Sequence, residues 1–143
     1  TPNTSSAASD VYKRQAIYNE VTAFDDPLDR YGVIIEFGEE LPPMDQAAKT
    51  DDNIVKGCQS TVWLDVQCHD EHIVLQADSN TAITKGIIAM LVRVLDGLSP
   101  AEVQQHPLSF IEAIGLHEHL SSQRSNGLHS MIQTLRKKAE SYS

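Results

Sequence analysis

The sequence predicts a segregated α+β domain: a small antiparallel sheet of about three strands packed against several helices. Three features carry that reading. Residues 61–68 and 72–77 alternate apolar and polar side chains, the period of half-buried strands, and only His69, Asp70 and Glu71 separate them. Helical periodicity of 3.6 residues precedes this pair and follows it. With 143 residues the chain has the length of one domain, taken as residues 16–143. Residues 1–9 are small and polar without periodicity, and residues 1–15 read as a disordered or non-native N-terminal segment.

In chain order, Ile17, Val21 and Phe24 recur at helical spacing until Asp25-Asp26-Pro27 breaks the run. Pro27 suits the first turn of a second helix capped by Asp26, with Leu28, Tyr31, Ile34, Ile35 and Leu41 as its apolar stripe and Pro42-Pro43 as its stop. Residues 44–53 form a polar loop, and Ile54-Val55 begins a third strand. The two clear strands follow, with Val62, Leu64, Val66 and Cys68 on one face of the first and Ile73, Leu75 and Ala77 on one face of the second. After Asn80, a good helix cap, Ile83, Ile87, Met90, Leu91, Val94 and Leu95 mark the most apolar helix, closed by Gly97. Gly86 inside it costs about 1 kcal/mol against Ala, which implies close approach of another backbone. Ser99-Pro100-Ala101-Glu102 is a capping box. A short helix runs from Pro107 to Ile114, and Leu128, Met131, Ile132 and Leu135 mark the last one, ending in Arg136-Lys137-Lys138.

Composition narrows the function. With 20 acidic residues against 11 Lys and Arg, the net charge is −9, which disfavours a nucleic-acid partner. The acidity is concentrated early: residues 1–53 carry 11 acids and four bases. The longest nearly uncharged apolar stretch, residues 86–92, is far short of the roughly 20 residues that span a bilayer, so no membrane partner is expected. Two cysteines make no disulfide framework, and a reducing cytoplasm is the expected compartment.

Cys58 is the most informative position. It follows Lys56-Gly57 in a short stretch between an acidic loop and a clear strand. Gly57 allows a tight turn that holds the thiol at a loop tip, and Lys56 is the one nearby cation to favour a thiolate. The competing reading is a small buried hydrophobe, as most free cysteines are. Cys68 falls on the apolar register of its strand and reads as packing. A metal site of Cys58, Cys68, His69 and His72 matches no structural zinc spacing, and Cys68 and His69 point to opposite faces. No phosphate-binding loop and no cofactor fingerprint occurs.

Residues 57–63, Gly-Cys-Gln-Ser-Thr-Val-Trp, resemble the GCQSxVW signature of the SufE family of cysteine desulfuration proteins. Residues 78–89 are similar to that family's DSDAAIVKGLIA block and residues 119–128 to its HLxPSRSNGL block, in the same order. The likeness runs from about Ile17 to Ala139. It departs at Asn80, where the family has an acid, and at Ser122, where it has Pro.

The resemblance implies a SufE/IscU-like fold and a sulfur acceptor without a resident cofactor. Its Cys58 would carry a persulfide taken from a pyridoxal-phosphate cysteine desulfurase of the SufS or CsdA kind. The sulfur would pass to a downstream acceptor or cluster scaffold for iron–sulfur assembly, and the chain would have no turnover of its own. Lys56, Gly57, Gln59, Ser60, Asp78 and Arg124 are the supporting or docking candidates. For Arg124 a helix-end cap competes with a docking role. The alternative readings are an iron–sulfur or zinc scaffold of the same fold and a cysteine hydrolase using His119 or His129 as base.

Overall fold

The computed structural model of the chain describes residues 16–17, 19–21, 23, 26–58, 60–106, 108 and 122–142, with only the backbone of residues 27, 28 and 122–126. Residues 16–17 and 19–21 are helical, with Ile17 and Val21 buried as their spacing predicts. Phe24, Gln59 and the helix expected over Pro107–Ile114 lie outside the described residues.

Helix α1 spans Pro27–Glu40. Its buried stripe is Val33, Ile34, Phe37 and Leu41, with Tyr31 and Ile35 at its flanks. Val33 and Phe37 were missing from the expected stripe, and Ile35 sits at its margin instead of its centre. The polar segment that follows holds two 3-10 turns, Gln46–Ala48 and Asp51–Asn53.

Strands β1 (Val62–His69) and β2 (His72–Ser79) pair antiparallel, with Val62 opposite Ser79 and His69 opposite His72. Val62, Leu64, Val66, Ile73, Leu75 and Ala77 are buried, so the alternation read from the sequence is the core face of the hairpin. A two-residue turn joins the strands, with Asp70 at φ 51° and Glu71 at φ 67°. Both residues occupy the left-handed region that a tight hairpin turn requires, and neither is Gly. Glu71→Gly is therefore expected to stabilise the protein by about 0.5–1 kcal/mol, read as a raised urea midpoint; a lowered midpoint would contradict this.

The expected third strand is a correction. Among the described residues Ile54 makes a single bridge to Trp63, and the sheet has two strands. The outward carbonyls of β1 find other donors. Val55 N–H donates to Val62 O at 2.8 Å, the Lys138 ammonium to Leu64 O at 2.9 Å, and the Tyr142 hydroxyl to Val66 O at 3.0 Å. On the far edge, Ile73 N–H donates to Leu98 O, Gly97 N–H to Ile73 O, and Leu75 N–H to Asp96 Oδ1. Loop backbone and single side chains thus serve edge groups that a third strand would have served.

Helix α2, Ala82–Leu95, is buried on nearly every side, as its composition predicts. Gly97 follows it at φ 88°, the left-handed stop expected there. Its start differs from expectation. Thr81, not Asn80, is the N-cap, and the Asn80 Oδ1 accepts from Thr61 N–H at 3.2 Å instead. Gly86 explains itself in the packing of α1 on α2. A Cβ there would lie 2.0 Å from Ile34 O, and one on Gly38 would lie 2.8 Å from Gly86 N. The two helix backbones touch where they cross.

Helix α3, Pro100–Gln105, has the complete capping box: Ser99 Oγ accepts from Glu102 N–H and Glu102 Oε1 from Ser99 N–H. Helix α4, Ser122–Glu140, buries Leu128, Met131, Leu135 and Ala139. Ile132 packs at the margin of that stripe. No described helix is long and apolar enough to cross a membrane.

Candidate functional site

Cys58 sits on the loop that leads from Val55 into β1. Lys56 and Gly57 form a turn there, with Gly57 at φ 94°, a conformation L side chains rarely adopt. A Cβ at Gly57 would also come within 2.5 Å of Ser130 Oγ on α4. The turn thus lies flat against α4 because residue 57 has no side chain.

The thiol is half-buried and packs against the edge of the hydrophobic core. Its S–H donates to Gly127 O at 3.5 Å, on the backbone of α4. After residue 59 the chain is tied to the β2–α2 junction. The Thr81 hydroxyl donates to Ser60 Oγ at 3.1 Å, and the Ser79 hydroxyl to Thr61 O at 2.8 Å. Residues 57–58 thus rest on 127–130 of α4, and the chain two to three residues further on is tied to residues 79–81.

Burial pushes the Cys58 thiol above its ordinary pKa. The activation expected from Lys56 is a correction. Lys56 is exposed on the turn, and burial alone accounts for the shift. The resting thiol is thus a poor nucleophile at neutral pH.

Gly57→Ala combines backbone strain with a clash on Ser130. We expect it to loosen the turn by about 1–3 kcal/mol and to raise the alkylation rate of Cys58 by about tenfold or more. An unchanged alkylation rate would contradict this seating of the loop.

Asp78 stands on β2 opposite Trp63 and is clamped from two sides. Its carboxylate meets Lys49 Nζ at 2.7 Å and Lys85 Nζ at 3.6 Å, and accepts from Ser79 N–H at 2.8 Å. Burial raises its pKa, but the hydrogen bonds from Lys49 and Ser79 and the two ammonium charges outweigh that and hold the carboxyl below its usual range. Lys49 also lies over the Trp63 ring, 5.2 Å from its centre, so Asp78 fastens residues 44–53 and α2 to the sheet beside the site. Because its folded pKa is depressed, this stabilisation is present above the ordinary value of 3.8 and is lost as pH falls through the folded one. Asp78→Asn should lower the melting temperature by more at pH 7 than at about pH 3, where part of the stabilisation is already lost. Equal gaps at both pH values would contradict this.

Arg124 stands on α4 three residues before Gly127; its side chain, like Gln59, lies outside the described residues. So does His119, while His129 is exposed on α4. Cys68, half-buried at the far end of β1 opposite Ile73, belongs to the packing. Among the described residues no group of three or more His, Cys, Asp or Glu could hold a metal ion. A groove of about 250 Å³ lies between Phe37, Pro42, Pro43, Ala77 and Val92; Cys58 does not line it. The roles of Gly127 and Ser130 in seating the thiol were not read from sequence, although Gly127 falls within the third matching block.

Comparison with known proteins shows the family and the fold. A sequence profile of the SufE family, described as an Fe-S metabolism associated domain, matches residues 15–139. An uncharacterized SufE-like protein of Rhizobium meliloti is 36% identical over 129 residues, 87% of this chain and 92% of that one. A second, from Synechocystis, is 35% identical over 114 residues, 80% of this chain and 72% of its own. SufE-like protein 1 of Arabidopsis thaliana, chloroplastic/mitochondrial, is 35% identical over 128 residues, 89% of this chain but 34% of that longer protein. The solution structure of a hypothetical protein from Thermus thermophilus shares the fold, with a TM-score of 0.74 at 21% identity, covering 92% of this chain and 97% of that one.

Proposed function

The chain belongs to the SufE family, tied to iron–sulfur metabolism through sulfur transfer, and on that premise we propose that Cys58 is the acceptor of the transferred sulfur. The donor is a persulfide on a pyridoxal-phosphate cysteine desulfurase. The Cys58 thiolate attacks the outer sulfur of that persulfide. A new S–S bond forms on Cys58, the donor's S–S bond breaks, and the donor cysteine leaves as a thiolate that takes up a proton. Unloading the donor frees it for another turnover, so the chain acts as a co-substrate that accelerates its partner, and the sulfur goes on toward iron–sulfur cluster assembly.

The observation that supports this most is the half-buried Cys58 thiol of the first family-matching block seated on Gly127 of the third, at an exposed turn. The raised thiol pKa fits a carrier that stays unreactive alone and is activated in contact with its donor. We assign donor contact to the turn at Lys56-Gly57, to residues 59–60 and to Arg124, while Asp78 supports the site through its internal ion pairs. Two unpaired cysteines suit a reducing compartment, and we place the chain in the cytoplasm.

The test is desulfurase turnover with cysteine, measured as alanine release with and without the chain. The reading requires a rise of about fivefold or more at stoichiometric chain, the size of effect expected when product removal limits turnover. Alanine release unmoved by the chain would overturn it.

A further inference from the structure

The seat of Cys58 is built for one chemical state of its sulfur. Three features define it. The S–H proton points at the Gly127 carbonyl, a hydrogen-bond acceptor. The sulfur lies against the apolar core on one side and against the α4 backbone at Gly127 on the other. The turn is pressed onto Ser130 through Gly57, whose φ of 94° fixes its path. A neutral thiol satisfies all three, since it offers a proton to the carbonyl and carries no charge into the half-buried site.

A persulfide fails the first two. It is a stronger acid than the thiol and is ionised at neutral pH. Its outer sulfur extends about 2 Å beyond the first. As an anion it has no proton for the Gly127 carbonyl, so two electron-rich atoms face each other, and burial penalises its charge. Among the described side chains of the turn and of α4 within one turn of Gly127, the charged or titratable ones besides Cys58 are Lys56 and His129, and both are exposed.

From this geometry, and resting on the sulfur-acceptor reading above, we infer that the Gly57–Cys58 turn is a load-sensing latch. It is closed on the Gly127 carbonyl while Cys58 carries a thiol and released when Cys58 carries a persulfide. The latch gives the carrier a direction. The empty form retracts its sulfur against α4, and the loaded form presents the outer sulfur to the next acceptor. Delivery restores the thiol and closes the turn.

The test needs no desulfurase. The Cys68→Ser chain is loaded with glutathione persulfide: the Cys58 thiolate takes the outer sulfur, leaving a Cys58 persulfide anion and glutathione. A parallel sample is treated with methyl methanethiosulfonate, which leaves a neutral methyl disulfide of similar length on Cys58 and releases methanesulfinate. Backbone hydrogen exchange over residues 56–60 is followed by mass spectrometry in reduced, persulfide and methyl disulfide forms. Exchange is expected to quicken about tenfold on persulfide loading, to return on reduction, and to stay near the reduced rate in the neutral disulfide. Unchanged exchange in the persulfide form would overturn the latch, as would equal opening by the neutral disulfide. The acceptor reading fails by a different result, a desulfurase that leaves no sulfur on Cys58.

Discussion

Cys58→Ser is expected to remove all stimulation of a cysteine desulfurase while leaving the fold unchanged. The hydroxyl is nearly isosteric with the thiol and can donate to the same Gly127 carbonyl, so the seat on α4 survives. The stability change should stay within about 1 kcal/mol. What disappears is the polarisable nucleophile: a serine hydroxyl neither ionises near neutral pH nor forms a stable bond to sulfane sulfur. Alanine release should fall to the rate of the desulfurase alone, with an unchanged circular dichroism spectrum. Cys68→Ser is the internal control. It replaces a half-buried packing residue at the far end of β1, opposite Ile73, and should cost up to about 1 kcal/mol of stability without loss of stimulation. The reverse pattern would move the site to the wrong end of the hairpin.

Gly86→Ala is expected to have the largest effect on stability. In an ordinary helix the change would add about 1 kcal/mol through propensity. Here the new methyl would lie 2.0 Å from Ile34 O and 2.7 Å from Ile34 C, both backbone atoms of α1. Neither can rotate away, so the helices must separate at the point where Ile34, Phe37, Ile87 and Met90 are buried around them. Core overpacking costs about 1–3 kcal/mol when side chains can adjust, and a backbone-on-backbone clash belongs at or above the upper end. A loss of about 3 kcal/mol or more in urea unfolding is expected, and a neutral or stabilising result would contradict the crossing of α1 on α2.

Much of this was legible in the sequence because it depends on local chemistry. The hairpin followed from alternation over residues 61–77, α3 from a capping box, and the helix crossing from the cost of a buried Gly86. The third strand was misread because Ile54-Val55 has the right side chains for a strand. What replaces it at the β1 edge is Lys138, some 74 residues away from its acceptor Leu64 O, and Tyr142. No local pattern announces a contact of that range. Cys58 was legible as the candidate reactive position, but its electrostatics were not. Lys56 is adjacent in sequence yet exposed, whereas the acceptor that meets the sulfur, Gly127, is 69 residues away. Sequence proximity pointed to activation, and the packing instead favours the neutral thiol.

The account turns on one sulfur atom arriving at one side chain. After incubation of the chain with a cysteine desulfurase and cysteine, peptide mass spectrometry under non-reducing conditions should find an added mass of about 32 Da, one sulfur, on the peptide containing Cys58, removable by a reductant. An unmodified Cys58 alongside a loaded desulfurase, or the added sulfur on Cys68, would contradict it.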